Sequence, residues 1–223
     1  MNEQEKYIGD LENTIRQFMK PLKNIPYKIA IKAVSGYRVI PFDKNDAKNK
    51  ELLELLSKAA KIATKKANEN GVFANRVNEI GNHMEPFVSD ALNYAGLKAD
   101  KPTTKEGKKK ATGYPDIFLT DKYGRPVYIE CKTYNEKNYQ SSQRSFYFSP
   151  AERQEDFKIT QEAMHLVISF RMEKAERNGK DAYIPVHWKI FSIDNLIGQI
   201  KHEFNASNRQ MYAEDALLAE GSF

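Results

Sequence analysis

Apolar positions along the chain change their spacing several times, and each change predicts a different element. In "EKYIGDLENTIRQFMKPL", Ile8, Leu11, Ile15 and Phe18 fall on one helical face, and Pro21 marks where that helix should stop. "YKIAIKAVSGYRVIPF" alternates over Ile29, Ile31 and Ala33, which predicts a strand, a turn at Gly36 and a second extended piece. Helical period returns in "NDAKNKELLELLSKAAKIATKKANENG" through Leu52, Leu55, Leu56, Ala59 and Ile62, and Asn70-Gly71 ends it. A further helix over residues 75–97 carries a stripe of Val77, Ile80, Met84, Val88 and Leu92, with Pro86 either kinking it or opening a new segment.

Beyond residue 114 the period becomes extended. Residues 115–121 and 126–134 form two predicted strands joined by "DKYGR", with Gly124 in the left-handed place of the turn. "HLVISF" (165–170) and "IPVHWKIFSI" (184–193) read as further strands. "DNLIGQIKHEFNA" reads as a helix opened by Asp194 as N-cap, and the residues after Tyr212 as a weak helix or frayed tail. Helices first and strands later predict an α/β fold, a mixed central sheet flanked by helices. No repeat or linker divides the chain, so one domain over 1–223 is expected: helical over 1–96, a sheet core over 114–193, and a C-terminal helix or tail over 194–223.

Bulk properties narrow the function class. The 223 residues suffice for one substantial core. No apolar run reaches the ~20 residues of a membrane span, and "MNEQEKYIGD" lacks the pattern of a signal peptide. Cys131 is the only cysteine, which excludes an internal disulfide and a cysteine-built zinc site, so a cytoplasmic location is expected. The net charge of +5 favours an anionic partner, and six lysines crowd residues 98–113 against Asp100 and Glu106.

That lysine-rich stretch leads directly into three charges in otherwise apolar strands. In "VYIECKTY", alternation turns Val127, Ile129 and Cys131 to one face and Tyr128, Glu130, Lys132 and Tyr134 to the other. Across the hairpin Asp116 can approach Glu130. Two carboxylates and a lysine suit Mg²⁺, which takes one or two carboxylates and keeps several waters. They also suit attack of water on a phosphodiester, with the ammonium stabilising charge on phosphoryl oxygen. The bland alternative is an exposed Glu-x-Lys ion pair.

Pro115-Asp116 followed by Glu130-Cys131-Lys132 resembles the PD-(D/E)xK nuclease superfamily, best known from type II restriction endonucleases. Upstream, "IGNHMEPFVSDALNYAG" is similar to the family's acidic helix through Gly81, Glu85 and Gly96, with Glu79 as reserve. The resemblance implies a restriction-endonuclease-like fold, Mg²⁺ as cofactor, and Asp116 and Glu130 as its ligands. It implies Lys132 as the residue positioning the water, and Glu85 as the fourth active-site residue, at a second metal or orienting water. It leaves one-metal and two-metal mechanisms open.

Lys105, Lys108, Lys109 and Lys110 are candidate phosphate contacts. Asn138, Gln140, Ser142, Gln143 and Arg144, just after the Glu-x-Lys strand, are candidate DNA contacts of the residue types that read base edges. The resulting expectation is a sequence-specific double-stranded DNA endonuclease acting as a homodimer on palindromic sites. A structure-selective nuclease such as a junction resolvase is the second reading, and a non-catalytic DNA-binding protein the third.

Overall fold

The computed structural model describes residues 3–74, 79–110, 113–142, 145–149, 153–212 and 214–219. The chain forms two compact units, residues 26–196 and, separately, residues 1–25 with 197–223.

The larger unit is built on a five-stranded mixed sheet. Its strands are β2 (Lys98–Asp100), β3 (Ile117–Thr120), β4 (Pro126–Tyr134), β5 (Met164–Arg177) and β6 (Lys180–Ser192), adjacent in that order. All neighbours are antiparallel except β4 and β5, which run parallel from Val127↔Met164 to Tyr134↔Arg171. The last two strands are longer than the apolar runs predict because Asn178 (φ 55°) and Gly179 (φ 71°) close a two-residue hairpin turn, the Asn-Gly signal for such a loop.

Helices α3 (Ala47–Asn70) and α4 (Ile80–Tyr94) cover one face. Leu52, Leu56, Ala59 and Ala63 of α3 and Ile80, Met84, Val88 and Leu92 of α4 pack there on Ile117, Leu119, Val127, Ile129 and Cys131. The Asp46 carboxylate accepts the Asn49 N–H and caps α3. Gly71 ends it at φ 77°, where a Cβ would stand 2.9 Å from the Arg177 Cγ. Helix α4 runs through Pro86, although proline offers no N–H to the preceding turn. Val77, predicted in its stripe, lies outside the described residues.

The second face carries a separate cluster: Tyr27 and Ile31 of α2 (Tyr27–Ser35), with Tyr114, Tyr128, Phe157, Ile159 and Val167. Here the structure corrects a predicted strand. Tyr27, Ile31 and Ser35 are the buried residues, spaced by four, while Ile29 is 58% exposed, so burial selects the helical period. Gly36 at φ 83° caps the helix, its N–H donating to the Lys32 carbonyl. The following extended piece does form, bridging Val39 to Ala163.

In the smaller unit, α1 (Glu3–Phe18) precedes a two-stranded sheet of β1 (Leu22–Pro26) and β7 (Ile197–Ile200). The helix predicted from Asp194 is therefore replaced by a strand. Asp194 spends its carboxylate on the Ser192 hydroxyl and the Asn195 amide instead of on helix N–H groups. A single capped turn, α5 (Asn208–Met211), follows.

Candidate active site

Because Ile117 pairs with Ile129, Asp116 stands opposite Glu130 at the open end of the β3–β4 hairpin. Two backbone links fix it: its N–H donates to the Ile129 carbonyl (3.2 Å), and its Oδ2 accepts the Cys131 N–H (2.8 Å). Alternation along β4 sends Cys131 into the helix-covered core and leaves Glu130 and Lys132 on the opposite face. There the Lys132 Nζ lies 2.6 Å from Glu130 Oε1, while Oε2 is buried without a hydrogen-bond partner. Glu130 is only 4% exposed, so the bland reading of a solvated surface pair does not describe this arrangement.

Burying like charges side by side raises their affinity for protons. Burial, then the Asp116 charge, pushes Glu130 up to about 7, with Lys132 opposing. Asp116 is raised as well, by burial set against the Cys131 N–H. The pair holds a proton more firmly than ordinary carboxylates do. For Lys132, burial works against the charge, but Glu130 and Asp116 outweigh it and the ammonium is held above the usual lysine value. Glu85, half-buried on α4, is raised to about 7 by burial and next by Asp116. It therefore belongs to the same electrostatic cluster; Glu79 stands at the N-cap of α4 without a side-chain capping bond.

Sequence reasoning missed Lys158. It is 3% exposed, donates from Nζ to the Gly113 carbonyl, and feels Asp116, Glu130 and Glu85, which counter the downward pull of burial on its pKa. Nothing in its spacing flags it. The available signal was its setting between Phe157 and Ile159, both buried. Behind the site, the Tyr27 hydroxyl donates to that of Tyr114 (2.6 Å), and Tyr114 approaches the His165 Nδ1 (2.6 Å). Burial lowers His165 to about 3, which keeps the ring neutral.

The candidate DNA contacts scatter more. Lys108 pairs with Glu106 (2.7 Å) and Lys109 with Asp100 (2.6 Å) inside a loop closed by the Thr103–Lys109 bridge. Lys105 is exposed with its Nζ 5.7 Å from the Tyr37 ring centre, and Lys110 is half-buried. Gln140 and Ser142 are exposed. Gln143 and Arg144 lie outside the described residues, as does the Asn138 side chain. Tyr147, which was not singled out, places its ring 5.8 Å from the Lys132 Nζ, while its neighbours Phe146 and Phe148 anchor in the aromatic cluster.

Among the described residues no three His, Cys, Asp or Glu side chains form a complete metal cage. A hard cation such as Mg²⁺ needs only one or two carboxylates, because it retains waters. The unpartnered Oε2 beside a second raised carboxylate fits such an ion.

The sequence matches the type II restriction enzyme MjaV family over residues 21–215. It is also 41% identical over 228 residues to the type II restriction enzyme MjaV of Methanocaldococcus jannaschii, covering 97% of each chain. The chain belongs to this family. It is accordingly a sequence-specific DNA endonuclease, and its central mixed sheet flanked by helices is consistent with the restriction-endonuclease-like fold. Family membership favours the restriction enzyme over the junction resolvase and the non-catalytic binder. No described helix is long and apolar enough to cross a membrane.

Proposed function

We propose that Asp116, Glu130 and Lys132, with Glu85 beside them, are the groups with which this enzyme hydrolyses phosphodiester bonds in double-stranded DNA, using Mg²⁺. The observation that carries the assignment is the juxtaposition itself: two carboxylates held facing each other across a hairpin, and an ammonium 2.6 Å from one of them. Asp116 and Glu130 would hold the cation. When bound, it supplies charge neutralisation at the phosphate and a more acidic water.

The chain's own groups do the rest. Lys132 orients the attacking water and balances charge on the phosphoryl oxygens. Glu85, with its raised pKa, can take a proton from that water or orient it. The backbone bond from Cys131 keeps Asp116 from swinging away, so geometry is set before substrate arrives. Lys105, Lys108, Lys109 and Lys110 supply phosphate contacts. Asn138, Gln140, Ser142, Gln143 and Arg144 lie just after β4 and are proposed to reach bases. The enzyme works in the cytoplasm as a homodimer, its two-fold symmetry matching a palindromic site.

Asp116→Ala tests the assignment. Cleavage of a long mapped DNA in Mg²⁺ should fall by a factor on the order of a thousand or more, while specific binding measured in Ca²⁺ persists. Undiminished cleavage would place the chemistry elsewhere.

A further inference from the structure

The smaller unit has no core among its described residues. None of its described residues is buried, yet fourteen of the twenty-four exposed large hydrophobic side chains among the described residues belong to it. The apolar residues of α1 are the most ordered of these. Ile8, Leu11, Ile15 and Phe18 recur at intervals of three and four, the a and d positions of a heptad, and all are between 46% and 65% exposed, with Tyr7 and Met19 beside them. A stripe centred on a and d is the pattern of two helices meeting. A helix of 16 residues is also marginal on its own in water. Within its own unit Phe18 meets the His202 ring edge-on, 6.1 Å between ring centres, while Ile8, Leu11 and Ile15 stay exposed.

We propose that α1 pairs in parallel with α1 of a second copy, and that this seam holds the homodimer together. The inference rests on the homodimer reading given above and names its surface. Three observations select a second copy. The seam is self-complementary, as a two-fold interface requires. Helix α1 carries Glu3, Glu5, Asp10 and Glu12 against Lys6 and Arg16, an acidic balance that repels nucleic acid. Adding Tyr7 and Met19, 67% and 46% exposed, gives on the order of 600 Å² of apolar side chain per protomer, close to the ~800 Å² per partner of a stable interface.

The heptad also sets the direction. Ile at both a positions, with Leu and Phe at d, suits a two-stranded parallel pair. Antiparallel pairing that sets Ile8 against Phe18 would bring the Glu12 side chains of both copies together near the axis, a like-charge apposition that parallel pairing avoids.

Two experiments test this. Sedimentation of the full chain at micromolar concentration should show a dimer, and the double variant Ile8→Asp, Ile15→Asp should dissociate at least tenfold more readily. Ile15→Cys should form a covalent dimer on mild oxidation whereas Asn13→Cys, on the outward face, should not; this arm stands even if the double variant fails to fold. A double variant that remains as tightly dimeric as the parent, or equal cross-linking at both positions, overturns the α1 seam and leaves the homodimer intact. A parent chain that stays monomeric, free and on DNA, overturns both.

Discussion

The β3–β4 hairpin has charges at both ends, and the two ends treat them differently. At the closed end, Asp121 is 7% exposed and fully used: it accepts the N–H groups of Tyr123 and Arg125 and the Arg125 Nε, the last at 2.7 Å. Arg125 then reaches Asn49 of α3 and ties the turn to the helix layer. At the open end, Glu130 is as deeply buried, at 4% exposed, and Asp116 is half-buried, but they face each other, and one oxygen of Glu130 is unmatched. A buried charge whose bonding capacity is filled holds the fold, whereas one left with spare capacity beside a like charge is held by the fold for some other purpose.

The comparison can be broken most sharply by exchanging what each end is asked to do. Glu130→Ala should reduce Mg²⁺-dependent cleavage by on the order of a thousandfold, with a melting temperature equal to or above that of the parent in EDTA, since it removes a strained like charge. Asp121→Ala should do the reverse, costing about 2–3 kcal/mol in denaturant unfolding and changing kcat little. Two variants that lost activity and stability in the same proportion would erase the distinction.

Lys158→Met comes next in size. Removing a buried ammonium from among the carboxylates should lower kcat roughly tenfold to a hundredfold with KM little changed. It should also alter the affinity for divalent cations measured calorimetrically without DNA, a readout that simple loss of packing would not move.

The third effect is smaller and depends on pH. Carboxyls raised in the folded state stabilise it fully below their unfolded value of about 4.5 and lose that contribution as pH rises through about 7. In EDTA the melting temperature should therefore decline from pH 5 to pH 8. A divalent cation held by the pair, as proposed, would select its deprotonated form, so the stabilisation that Ca²⁺ adds should grow over the same interval. A cation shift that is flat with pH would detach Glu130 and Asp116 from metal binding.

Much of this arrangement was legible in the sequence where neighbours along the chain decide it. Alternation in "VYIECKTY" separates Cys131 from Glu130 and Lys132, and "DKYGR" fixes which residue faces Asp116. Helices α3 and α4 follow from their stripes. What failed was whatever depends on distant partners. Residues 29–33 satisfy both periods, and only packing of Tyr27 and Ile31 on the sheet selects the helix. Strand β7 exists because β1, more than 160 residues earlier, pairs with it. Lys158 reaches the site from the crossover between the parallel strands β4 and β5, where no local spacing connects it to Asp116.

Cys131 joins the two layers through a single residue. Its amide holds Asp116 on one side, while its thiol, driven well above the ordinary value by burial, sits inert among the side chains beneath the helices. Loosening the open end of the hairpin thus means prising open the best-protected part of the larger unit. The proposed cutting machinery has no soft mode of its own and should keep its alignment until the whole larger unit melts.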